Sequence, residues 1–164
     1  MSEKKNVDLE KMQDSFELMD YVVPRLEGLL DILAELGMSA ELMINGDEVP
    51  FAVGEKEDGT ITYFTYIPVD IENDGQFILQ MSRTVKSGEE DIETSLIDIA
   101  TYNLESGFGF AVQDPQSNDI VLRAQVPEMG GVGLEWYAYI FEIFEDACTA
   151  LLDELSYEGS EEVK

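Results

Sequence analysis

The run Thr60-Ile61-Thr62-Tyr63-Phe64-Thr65-Tyr66-Ile67 follows the turn signal Asp58-Gly59 and is dense in β-branched and aromatic side chains. A run of that composition behind a glycine turn reads as a β-strand. The segments around it repeat the pattern. Upstream, Glu41-Leu42-Met43-Ile44 ends in Asn45-Gly46-Asp47, and an apolar run resumes from Val49 to Val53. Downstream, Asn73-Asp74-Gly75 turns into Phe77-Ile78-Leu79-Gln80-Met81. Asn-Gly and Asp-Gly pairs between such runs signal hairpins, so Ala40 to Arg83 reads as four antiparallel strands in a meander. Pro50 cannot donate to a ladder and marks an edge or a strand start.

Outside this region the period changes from two to 3.6. Met12, Phe16, Met19, Val23, Leu26, Leu30 and Leu33 form the stripe of an amphipathic helix from about Asp8 to Leu36, widened by Val22, Leu29 and Leu36. Pro24 interrupts it, predicting a kink or two abutting helices, and Gly37 stands where a C-cap glycine belongs. Ser87-Gly88-Glu89-Glu90 opens a second helix, with Ile92, Leu96, Ile99 and Ala100 as its apolar line, ending near Asn103. Phe108, Phe110 and Val112 alternate as a fifth strand. After the turn Asp114 to Asn118, Ile120, Leu122, Ala124 and Val126 alternate as a sixth. Gly130-Gly131-Val132-Gly133 leads into a last helix, Leu134 to Leu155. The order α-β-β-β-β-α-β-β-α predicts one α+β domain with an antiparallel sheet over residues 1–156, and an acidic polar tail over 157–164.

Composition narrows the function. Of 164 residues, 36 are Asp or Glu and 9 are Lys or Arg, giving a formal charge of −27. Such a field repels phosphate backbones and anionic lipid, so direct nucleic-acid or membrane binding is not expected. The absence of His removes the commonest general base and metal ligand. The single Cys148 forms no internal disulfide. Apolar residues at 45% are enough to build a core. No secretory signal or spanning segment is read, so a cytoplasmic location is the expectation.

Three motifs imitate functional sites but have plainer readings. Asp70-Ile71-Glu72-Asn73-Asp74-Gly75 imitates the start of a calcium loop, but its twelfth position is Met81 where a bidentate Glu belongs, so it reads as a hairpin turn. Gly130 to Gly133 lacks the Lys and Ser/Thr of a phosphate loop and is flanked by Glu128 and Glu135, so it reads as a connection. Cys148, beside Phe144, Ala147 and Leu151, reads as a core thiol. Asn103 suits a helix cap or some other role.

The last helix is the most aromatic element. Trp136, Ile140, Ile143, Phe144, Ala147, Leu151 and Leu155 make the stripe expected to face a sheet, with Tyr137, Phe141, Cys148 and Leu152 to one side and Tyr139 adding area. The excess is either deeper burial within the chain or a dimer or partner surface, for which Trp136, Tyr137, Ile140 and Phe141 are the candidates. Gln125 to Val163 carries ten acids and no base. Acidity beside aromatic area suits a basic, apolar protein partner.

With these segments in view, the chain resembles the YbjN-like family of bacterial sensory transduction regulators, which share the type III secretion chaperone-like α+β fold. The resemblance rests on Ile99-Ala100-Thr101-Tyr102-Asn103-Leu104, the strands Phe108–Val112 and Ile120–Val126, the Pro127 to Gly133 link and the helix Leu134–Leu155. It implies no catalytic residues, metal or cofactor. Secretion chaperones of that fold class are acidic dimers that hold an extended client segment. The resulting expectation is a non-enzymatic, homodimeric, chaperone-like or regulatory protein that binds a partner protein. The alternative is an acidic nucleic-acid mimic occupying a DNA-binding protein.

Overall fold

The computed structural model describes residues 20–45, 49–70, 76–87, 95–128 and 132–156. Helix α1 covers residues 20–35. It is followed by strands β1 (Ser39–Met43), β2 (Phe51–Glu55), β3 (Ile61–Asp70) and β4 (Gln76–Lys86), helix α2 (Ser95–Glu105), strands β5 (Phe110–Gln113) and β6 (Ile120–Glu128), and helix α3 (Leu134–Ser156). The six strands form one antiparallel sheet in the order β1-β2-β3-β4-β6-β5. The α+β class and the element order agree with the sequence reading. Residues 8–19, the Gly46-Asp47 turn, the calcium-like loop, the opening of the second helix through Ile92, Gly130-Gly131 and the tail from 157 lie outside the described residues.

Contacts group the described chain into two compact units, residues up to 80 with 126–128, and residues 81–125 with 132–156. In the first, α1 buries Val22, Leu26, Leu29 and Leu33 at spacings of four, three and four, together with Ala52, Phe64, Tyr66, Phe77 and Leu79 of the strands. A Cβ on Gly54 would stand 3.0 Å from the Phe64 ring and 3.7 Å from Leu33, so glycine lets helix and strand approach. α1 is helical without a break through the exposed Pro24 and does not divide there. The bond that Pro24 cannot donate is the one to the Asp20 carbonyl, at the first described helical residue. At its other end Gly37 takes φ +87°, and its N–H bonds Ala34 while that of Met38 bonds Leu33, a Schellman cap.

The β2–β3 hairpin closes as expected at Asp58-Gly59, with Gly59 at φ +86° and the Lys56 N–H bonded to Thr60 O at 3.0 Å. Pro50 lies just before β2, an interior strand, so it marks a strand start.

In the second unit α3 buries Tyr137, Phe141, Phe144, Cys148, Leu151 and Leu155 in one line, beside Ile140. The thiol of Cys148, which is in no disulfide, is therefore a core group. The Tyr102 hydroxyl of α2 donates to the Ala147 carbonyl of α3 at 3.3 Å. Asn103 is more than a cap. Its amide nitrogen donates to Ala111 O at 3.0 Å, and its oxygen accepts the Ala111 N–H at 2.7 Å. The side chain thus supplies both bonds of a strand neighbour and ties the end of α2 to β5. Phe108 falls outside the fifth strand, because Gly109 at φ +76° turns the chain before β5 begins.

Candidate protein-binding surface

Two of the three arginines are held in ion pairs within the fold. Arg25 of α1 bonds Glu128 at 2.5 Å, and its guanidinium lies 4.0 Å from the centre of the Phe77 ring. Arg83 of β4 makes two bonds to Glu145 of α3, at 2.6 and 2.8 Å, and lies 5.3 Å from the Phe144 ring centre. With Arg123 half-buried on β6, none of the chain's three arginines is fully exposed. Both pairs are charge-assisted, and the two-bonded Arg83 pair has the geometry of strong carboxylate recognition.

The four residues expected to meet a partner do not form an open patch. Tyr137, Ile140 and Phe141 are buried within the chain, and Trp136 is half-buried with its ring 5.0 Å from that of Tyr137. α3 leaves Leu134, Tyr139 and Leu152 exposed instead. The buried line is displaced around the helix from the predicted stripe, which takes the "side" residues Tyr137, Phe141 and Cys148 inside.

Among the described residues, a row of exposed apolar side chains lies in the first unit, on the sheet face opposite α1. Along β3, Thr62, Phe64 and Tyr66 are buried, while Ile61, Tyr63, Ile67 and Val69 alternate with them and are 40, 43, 37 and 56% exposed. An antiparallel sheet with one covered face normally turns polar residues to water on the other. Here the open face is Ile, Tyr, Thr, Ile and Val. The register extends it across the neighbouring strands. Val53 stands opposite Tyr63, and Met43 opposite Phe51. The Phe51 and Tyr63 rings are 5.9 Å apart. Two carboxylates share the face. Glu41 pairs with Val53, and Glu55 stands between Ser39 and Ile61. Contiguous apolar surface with a polar margin is characteristic of interaction sites.

Other features are weaker. α2 exposes Ile97 and Leu104, two turns apart on one helix. A groove of about 430 Å³ in the second unit is lined by Tyr102, Phe108, Ile143 and Ala147, with carboxylates from Glu105 and Asp146 among its walls. Among the described residues no three His, Cys, Asp or Glu side chains are grouped to hold a metal ion, and no helix is long and apolar enough to cross a membrane.

The backbone is similar to that of YbjN from E. coli. That protein, a proposed transcription regulator, aligns with a TM-score of 0.48 and 18% identity, over 78% of this chain and 89% of YbjN. No protein-family model matches the sequence, and no curated protein matches it.

The sheet surface was missed in the sequence, though a signal for it was present. Ile61 to Val69 is apolar at odd and even positions alike, the pattern of a strand that needs cover on both faces. α1 supplies one cover.

Proposed function

We propose that this chain is a non-enzymatic protein-binding module of regulatory or chaperone-like type, which engages a segment of a partner protein on the open face of β1–β3. The observation that carries this reading is the row Ile61, Tyr63, Ile67 and Val69, exposed where an uncovered sheet face should be polar. The acidic field supports it, because steering by net charge raises encounter rates with basic partners and suppresses acidic ones. A photo-crosslinking residue at Tyr63 tests it in cells, with one at the exposed Glu27 of α1 as control. Discrete adducts to other proteins are expected from position 63 and not from 27. Adducts from neither position, or equally from both, would reject the surface.

A further inference from the structure

We infer that the occupant of this face is an amphipathic helix of a partner protein, with an apolar stripe flanked by Lys or Arg. The inference rests on the reading of the chain as a protein-binding module and adds the shape and charge of what is bound.

The shape follows from hydrogen bonding. β2 and β3 are interior strands, paired on both sides, so their backbone groups offer nothing to a chain lying across the face. An extended segment there would bury N–H and C=O groups without partners, whereas a helix satisfies its own. The dimensions agree. Three strands spaced about 4.8 Å apart present a strip about 10–14 Å wide, and a helix with its side chains is about 10–12 Å across. Residues 61–69 extend over about 27 Å at 3.3 Å per residue, the length of a helix of about 18 residues. These strands already accept a helix on their other side, where Leu33 of α1 comes within 3.7 Å of a Cβ built at Gly54 and Arg25 lies over Phe77.

The charge follows from Glu41 and Glu55, both exposed on this face, and from a chain that carries −27. A second copy would bring the same carboxylates and the same net charge against them, which opposes association. A helix with basic flanks places cations beside Glu41 and Glu55 and its apolar stripe over Tyr63 and Ile67.

Synthetic peptides decide the matter by fluorescence anisotropy and circular dichroism. The probe is a peptide of about 18 residues with Leu at helical spacing and Lys elsewhere. Its comparisons are a peptide of the same composition with Leu and Lys alternating, and a helical-spacing peptide with Glu in place of Lys. The helical Lys peptide is expected to bind about tenfold tighter than either comparison and to gain helicity on binding. Tyr63→Asp with Val69→Asp is expected to weaken it about tenfold, although the added carboxylates would tighten a purely Coulombic association. Glu41→Lys with Glu55→Lys is expected to weaken it about fivefold and flatten its salt dependence. Leu104→Asp on α2 should leave affinity within about twofold. Equal binding by the alternating peptide overturns the helical occupant, and indifference to the Asp pair overturns the surface. A doubled mass by light scattering that the Asp pair abolishes would show a second copy there instead. Adducts from position 63 without binding of the helical Lys peptide would leave the protein-binding reading standing and remove this one.

Discussion

Arg83 and Glu145 show how one ion pair can have unequal halves. The Arg83 side chain is 7% exposed and that of Glu145 33%. Removing Glu145 takes the two-bonded carboxylate from a buried guanidinium. Replacing Arg83 with a long apolar residue leaves a carboxylate that water can reach. Glu145→Ala is therefore expected to cost about 2–3 kcal/mol and Arg83→Met about 1 kcal/mol, read from urea denaturation midpoints at constant m. The reverse order would show that the guanidinium is solvated in the variant. None of this was legible in the sequence. Charged residues on a strand and a helix carry no mark of their partner, and Arg83 stands on the covered side of a strand where apolar residues are the rule. Asn103 is similar. Its place at the end of a helix was read correctly, but its two bonds to Ala111 depend on where β5 returns.

For the elements, local periods and turn residues were sufficient to place all six strands and the described parts of three helices. Boundaries moved where a backbone feature intervened. Strand β5 starts two residues later than Phe108 because Gly109 occupies the left-handed region at φ +76°, and a Cβ there would come within 3.2 Å of Arg123 O. Gly109→Ala is expected to destabilise the chain by about 1–2 kcal/mol, through backbone strain and that contact. In hydrogen exchange, the amides of β5 should lose protection before those of β3. Unchanged stability would mean that the turn relaxes freely. Helix α3 teaches the other lesson. Its aromatic excess allowed either deep burial or a partner surface, and the helical period alone fits both. Tyr137, Ile140 and Phe141 proved to be buried, while α3 turns Leu134, Tyr139 and Leu152 to solvent and β3 exposes the row Ile61, Tyr63, Ile67 and Val69.

At the scale of the whole molecule, −27 distributed over 164 residues is self-repulsion that the fold must overcome. Two of the three arginines are held in ion pairs with Glu128 and Glu145, and −27 is the charge that remains once every cation is counted. Raising NaCl from about 0.05 to about 0.5 M is therefore expected to raise the melting temperature by several degrees, since screening shortens from about 14 to about 4 Å. A melting temperature that falls with salt would show that attractive pairs outweigh the repulsion. The sequence by itself determined the order of elements, the turn at Asp58-Gly59, the Gly37 cap and the sign of the field, because each depends on a few adjacent residues or on a simple sum. Tertiary structure alone decided which apolar faces found a cover. α1 lies on one side of β2 to β4, the aromatic line of α3 turns inward, and Ile61, Tyr63, Ile67 and Val69 remain in water. Burial belongs to pairs of elements brought together from distant parts of the chain, and a period of two or 3.6 shows only that a face is apolar.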